Sequence, residues 1–317
     1  MKYGNDLFTA LLALIALLAL MSLGCAKKPD GHDLQFYGDA NVFSQTQRSA
    51  FNGAPAIENS MVIRGNSVVS FFDPAAVGSM TMADLGPTGR SFSGERTVMT
   101  RGARFSYVLE YNGKLYNFVT EGHVYLYSST DGIVWTSENN GDPVFTARPG
   151  TPYAVLWNVA VDVDSSGVWH LLVEAATEEG SINQNGVGLG YSYSNDSAGH
   201  FNFESRRSEN HVIPKGGNPY LKALPDGRLF AVYGRLWNSV FDIGQEWHVT
   251  AATFSNGTWT THDNFVLGTP GQHVCDPHMI DLPTGGSMLT VSVAQNSINL
   301  AHSSLTIEGL ANKLGGQ

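Results

Sequence analysis

Residues 217–233 read GNPYLKALPDGRLFAVY, two apolar arms joined by Pro225-Asp226-Gly227. Proline presets the backbone for a turn and glycine supplies the positive φ that closes it, so the stretch is a strand, a tight turn and a returning strand. The pattern recurs. Asp276-Pro277-His278-Met279-Ile280-Asp281 runs to Gly285 and returns through Met288-Leu289-Thr290-Val291. Asn158-Val159-Ala160-Val161-Asp162 runs to Gly167 and returns from Trp169 to Val173, and Arg104 to Leu109 runs to Gly113 and returns from Leu115 to Val119. In these four copies a polar residue stands nine positions before the turn glycine. A shorter fifth copy starts at Glu58, turns at Gly65-Asn66 and returns from Val68 to Phe72.

The polar heads Glu58, Arg104, Asn158, Asn218 and Asp276 lie 46 to 60 residues apart. A period of about fifty residues with several short strands per unit predicts a β-propeller with one four-stranded blade per repeat. Five repeats predict an all-β, five-bladed propeller over residues 58–317. The later strands of each blade follow as Val124–Tyr127 then Ile133–Trp135, Leu189–Asp196 then Phe201–Phe203, Val249–Phe254 then Thr258–Trp259, and Ile298–Ser304. Residues 306–317 are expected to form a short helix or a frayed tail. Leu34–Tyr37 is a candidate strand to complete the last blade, because an open ring leaves a sheet edge exposed.

Composition agrees with one large β domain: 42% of the 317 residues are hydrophobic, 15% are charged, and 35 are glycine. The net charge of −10 speaks against a nucleic-acid partner, which needs a basic face. It suits a neutral glycan, and a merely soluble acidic surface would give the same number. Residues 7–23 carry no charge and precede Gly24-Cys25. Ser22-Leu23-Gly24-Cys25 resembles a bacterial lipobox, making residues 1–25 a lipoprotein-type signal and 26–57 a tether, with an uncleaved membrane anchor as the alternative. Either way the chain is expected to be exported to the cell envelope and held at the membrane by its N-terminus. Cys275 then has no intrachain partner and is expected to be a buried, inert thiol.

The Ser129-Thr130-Asp131-Gly132-x-x-Trp135 turn, with the Asp276-Pro277-His278 and Asn218-Pro219-Tyr220 strand openings, resembles the five-bladed propeller glycosidases. That superfamily includes arabinanases, β-xylosidases, invertases and levansucrases. The resemblance spans most of residues 58–305 and implies a central funnel whose inner-strand heads supply acids to a sugar. It places the base near Glu58, the orienting acid at Asn158 and the general acid at Asn218. Two of those three positions are amides, and an amide cannot protonate a leaving group. Fold alone does not confer the activity.

Glycoside hydrolysis needs one protonated and one ionised carboxylate about the bond. Asp73, Glu121 and Glu174 form a second set of acids, one at the end of the second strand in each of the first three repeats. Glu174 closes the apolar run Leu171-Leu172-Val173, where burial raises a carboxyl pKa. Strand-end acids solvated at a rim are the competing reading. The catalytic candidates are therefore Glu58 or Asp276 as base or nucleophile and Glu174 or Glu121 as acid, with Asp73 in the same set. Arg104, Asn158, Asn218 and His278 are candidate sugar ligands, and His278 alternates with Asp276 along one strand face. Trp157, Trp237 and Arg235 offer an aromatic and cationic wall, the competing fate of the tryptophans being blade packing. No cofactor is expected. Calcium near His278 or His273 is the alternative that the resemblance offers, and no zinc-type spacing occurs. The expected protein is a monomeric, exported glycoside hydrolase acting on an oligo- or polysaccharide. A non-catalytic propeller binding glycan or protein, and a structural lipoprotein without ligand, are the alternatives.

Overall fold

The computed structural model describes residues 33–316 apart from 52–54, 75–77, 87, 101, 178–185, 196–201, 239–244, 270 and 295–296. The expected signal or anchor at residues 1–25 lies outside the described residues. Two strands precede the repeats, β1 (Gln35–Gly38) and β2 (Phe43–Gln47). The first blade is β3 (Ile57–Arg64), β4 (Ser67–Asp73), β5 (Met80–Leu85) and β6 (Phe92–Met99). The second is β7 (Tyr107–Tyr111), β8 (Lys114–Glu121), β9 (His123–Ser129) and β10 (Thr136–Ser137). The third is β11 (Val155–Val163), β12 (Trp169–Ala176), β13 (Val187–Ser194) and β14 (Ile213–Pro214). The fourth is β15 (Gly216–Ala223), β16 (Leu229–Asn238), β17 (Gln245–Ser255) and β18 (Thr258–Gly268). The fifth holds β19 (Val274–Asp281), β20 (Ser287–Val293) and β21 (Ser297–Ser303), and helix α1 (Ile307–Leu314) follows. The chain is an all-β five-bladed propeller.

Each blade is an antiparallel meander with its first strand innermost, so β3, β7, β11, β15 and β19 ring the central channel. Ring closure differs from the expectation. The segment beginning at Leu34 becomes β1 and adds a fifth strand to the fourth blade, Gln35 facing Gly268 on β18. The fifth blade is completed by β2, Phe43 facing Ser303 on β21. Outer strands differ too. In the second blade Ile133–Trp135 form a bend and Thr136–Ser137 pair with β9, while in the third Asn202-Phe203 are not strand and Ile213–Pro214 pair with β13.

The bend at Ser129–Trp135 has a clear cause. Asp131 Oδ1 accepts from the main-chain N–H of Ile133 (2.7 Å) and Val134 (2.9 Å), and Ser129 Oγ accepts from Gly132 (2.8 Å). Such self-capping diverts the backbone from the strand ladder. Trp135 then folds back edge-on against Phe71, 6.0 Å between ring centres. Aromatics interlock around the ring: buried Trp169 of the third blade meets half-buried Tyr116 of the second edge-on at 5.1 Å, and Phe51, in the segment joining β2 to β3, stacks on Phe92 of the first blade at 5.1 Å. Among the described residues no helix is long and apolar enough to cross a membrane.

Candidate active site at the channel mouth

The inner strands bulge where they enter the channel. Pairing slips between Ile57 and Ser60, Leu156 and Val159, Gly217 and Tyr220, and Cys275 and His278. A bulge re-aims a side chain that regular pleating would send elsewhere. Glu58, Asn218 and Asp276 take the extra position with φ of 51°, 46° and 48°, uncommon for residues with a Cβ. In the second blade the corresponding left-handed residue is Phe105, φ 52°, rather than Arg104. The hairpin there turns through two residues, Asn112-Gly113, whereas the third to fifth blades use five-residue loops. Counting back nine from the glycine therefore lands one residue early.

These heads are tied to each other around the channel. Asn158 Nδ2 donates to Glu174 Oε2 at 3.0 Å, and the main-chain N–H of Asn218 donates to the same oxygen at 2.9 Å. Asn218 Nδ2 donates to Asp276 Oδ1 at 2.6 Å. Asp276 also accepts from the main-chain N–H of Glu58, whose own Oε2 accepts from that of Phe105 at 3.0 Å. One chain of bonds thus joins the third blade to the fourth, fifth, first and second.

Glu58, Asn158, Asn218, Asp276 and His278 line one narrow cavity of about 20 Å³, room for a single water. Glu174 stands behind that wall, 1% exposed, held by the Asn158 side chain and the Asn218 main-chain N–H. Its pKa is pushed up to about 7, chiefly by burial, with the Asp276 charge adding and three donated hydrogen bonds, from the Asn158 side chain and the Asn218 and Asn158 main chain, opposing. Glu58 is held well above the usual carboxylate range by burial and then by the Asp276 charge; Asp276 is raised by burial, against hydrogen bonds that favour its ionised form. Two neighbouring carboxyls of this kind titrate as a pair, and one keeps a proton above the pH at which a free acid would lose it.

The other candidates are spread more widely. Asp73 is buried, accepts from Gly78 N–H at 2.8 Å and raises Glu58 through its charge. Glu121 is solvent-exposed at the end of β8. Arg104 is also exposed, its guanidinium 4.8 Å over the Phe105 ring, and its charge lowers Glu58 slightly. Arg235 pairs with Asp263 on β18. Trp157, a candidate sugar platform, is half-buried and packs against Val187, Leu236, Trp247 and Cys275. Trp237 lies on β16, its side chain outside the described residues. Cys275 is buried and its thiol is raised by burial, then by Asp276, so it stays protonated.

His278 is 3% exposed and takes the main-chain N–H of Met61 on Nδ1 at 3.2 Å, while burial pushes its pKa down to about 3. It is neutral, with its proton on Nε2. Among the described residues no group of three His, Cys, Asp or Glu side chains is arranged to hold a metal ion. Trp247 was not foreseen in the sequence. It is buried beside Gly217 and Gly234, where a Cβ on either glycine would come within 3.0 and 3.2 Å of its ring. A Cβ on Gly217 would also meet Glu174 at 2.7 Å, so only glycine leaves room for the buried carboxyl.

No family model and no curated protein matches the chain. Solved structures do. A thermostable family-43 glycoside hydrolase superposes with TM-score 0.56 at 13% identity, over 78% of this chain and 88% of its own. The catalytic domain of a Coprinopsis cinerea GH62 α-L-arabinofuranosidase gives 0.57 at 11%, over 85% and 98%. A Cellvibrio cellulosa α-L-arabinanase complexed with arabinohexaose gives 0.53 at 11%, over 81% and 94%. The chain therefore has the fold of the five-bladed propeller glycosidases.

Proposed function

We propose that the protein is a glycoside hydrolase acting on a pentose-containing oligo- or polysaccharide presented to the channel mouth. The observation that carries the reading is the placement of Glu58 and Asp276 on one cavity with both carboxyls displaced upward. Glu58, whose carboxylate accepts only the Phe105 N–H while Asp276 collects several donors that favour its ionised form, keeps the proton of the pair and serves as general acid to the leaving oxygen. Asp276, supplied with hydrogen bonds from Asn218 and from the Glu58 main chain, is the ionised partner that draws a proton from water or attacks the anomeric carbon. In either course the glycosidic C–O bond breaks as the leaving oxygen takes the proton of Glu58. Asn158 and Asn218 offer amides to sugar hydroxyls, and Glu174 fixes both from behind. The pentose preference rests on the arabinose-acting relatives in fold. Export and N-terminal lipid attachment at Cys25 belong to the same reading.

A panel of aryl arabinofuranosides and xylosides, with arabinan and xylan oligosaccharides, tests it. Turnover by the intact chain should fall about 10²–10⁴-fold in Glu58→Gln, as for loss of a general acid, and comparably in Asp276→Asn. The amides at Asn158 and Asn218 favour one second reading, a glycan-binding propeller without catalysis. Oligosaccharide binding without turnover in the intact chain would select it.

A further inference from the structure

The channel has a second cavity, at the end of the inner strands away from Glu58 and Asp276. It measures about 430 Å³ and is lined by the far halves of β3, β7, β11, β15 and β19 with Ile307 of α1. Tyr107 and His278 line both this cavity and the mouth, and Tyr220 lies edge-on to His278, 4.9 Å between ring centres. These three rings form a partition. The far cavity has its own polar groups: Lys222 Nζ pairs with Asp162 Oδ2 at 3.1 Å, Asp281 Oδ1 accepts from Ile307 N–H at 2.7 Å, and Glu110 stands exposed at the rim. His278 Nε2 is buried without a hydrogen-bond partner among the described residues. Because Nδ1 is occupied as an acceptor, Nε2 is a donor that lacks an acceptor, a state native proteins rarely leave uncompensated.

The chemistry of a ligand follows from these groups. An oxygen brought beside His278, which lines this cavity, would pair its unpartnered Nε2–H, which a bare ammonium cannot do. An anion could accept, but it would enter among three carboxylates against one ammonium. A neutral hydroxyl both accepts from His278 and donates to Asp162 or Asp281, and aromatic walls suit the C–H face of a sugar ring. We propose that the far end of the channel binds a small neutral polyol, a free monosaccharide, with a hydroxyl accepting from His278 Nε2 and others meeting the Lys222–Asp162 pair. The site is separate from the mouth and does not depend on hydrolysis there.

The test titrates the intact chain with D-xylose, L-arabinose and glycerol, following histidine ¹⁵N resonances and heats of binding, with spermidine and inorganic phosphate as charged controls. Lys222 lines the far cavity and Asn158 only the mouth. Read at the far-cavity His278 resonance, Lys222→Met should weaken the monosaccharide titration about tenfold, the loss of one charged hydrogen bond, while Asn158→Ala, whatever it does to sugar at the mouth, leaves that titration within about twofold. Glu110→Gln, an exposed change, serves as a second far-cavity variant should Lys222→Met fold poorly. Binding lost in Asn158→Ala but kept in both far-cavity variants would overturn the assignment by placing the sugar at the mouth. Binding of phosphate or spermidine in place of sugar, or no saccharide response up to about 100 mM, would overturn it as well.

Discussion

Asn218 holds Asp276: its Nδ2 lies 2.6 Å from Asp276 Oδ1, while its main-chain N–H is 2.9 Å from Glu174. The same residue therefore sets two acids, one on each of the blades flanking its own, and it can do so because its left-handed backbone, φ 46°, turns N–H and side chain in different directions. An uncharged donor is essential in this place. Asn218→Asp would set a third carboxyl against Asp276 and near Glu174, replacing a donated bond with like-charge repulsion. The expected result is a loss of unfolding free energy on the order of 3 kcal/mol at pH 8, as for an uncompensated buried charge. That loss should shrink as the pH is lowered and the added carboxyl is protonated. Urea midpoints at pH 5 and pH 8 measure it, and equal destabilisation at both would contradict the repulsion.

Glu174 gives stability a direction in pH. Its folded pKa of about 7 lies above the ordinary 4.5, so the folded state holds the proton more tightly than the unfolded chain. Below about pH 4.5 both states are protonated and the folded state bears no penalty. As pH rises toward 7 the unfolded chain releases its proton first, and stability falls until the folded carboxyl ionises too. The displacement corresponds to a loss on the order of 3 kcal/mol. Glu174→Gln keeps an acceptor for Asn158 and Asn218 but has no proton to lose. Its urea midpoint should vary less than that of the native chain between pH 4.5 and 7.5, and an unchanged slope would show that Glu174 ionises freely when folded.

The blade count and the ring of strand heads were readable in the sequence because each rests on local chemistry: a turn glycine, an apolar arm, a polar residue at fixed spacing. Arg104 in place of Phe105 shows the limit of such counting, since a two-residue turn and a five-residue loop give different offsets to the same bulge. The outermost strands of the second and third blades were not readable, although that of the fourth, from Thr258, was. Thr136–Ser137 and Ile213–Pro214 have two residues each, too few to show alternation, and their places are set by partners on β9 and β13. The role of Glu174 lay further out of reach. Its apolar flank announced burial, but its bond to the main chain of Asn218 spans 44 residues, and no local pattern encodes which blade head will meet it.

Blade packing makes a sharper claim at Gly190. A Cβ built there would lie 2.2 Å from the Tyr153 ring, whose hydroxyl is bonded to Ser208 at 2.6 Å and so cannot swing away freely. Gly190→Ala should cost about 1–3 kcal/mol as an overpacked contact. The double change Gly190→Ala with Tyr153→Leu should recover part of that cost. Chemical denaturation of the four proteins in the cycle measures the coupling, and strict additivity would mean that the ring is free to move.

Closure of the propeller by β2 separates two truncations that a linear reading would treat alike. A chain beginning at residue 40 loses β1, which only adds a fifth strand to the outer edge of the fourth blade. One beginning at residue 48 also loses β2, the strand that completes the fifth blade and links the two ends of the chain. Phe43 is the apolar part of that link, 3% exposed and edge-on to Phe265 at 6.3 Å. Losing β1 uncovers one edge of a blade that remains four-stranded, whereas losing β2 bares β21 and invites edge-to-edge pairing between molecules. The first truncation should keep the oligomeric state of the full chain with a modest fall in thermal midpoint. The second should aggregate on mild heating, and Phe43→Ala in the full chain should cost about 3–5 kcal/mol, as for a buried phenylalanine. Light scattering during a thermal ramp distinguishes the three proteins, and a monomeric, reversibly melting chain from residue 48 would show that the ring stays shut without β2.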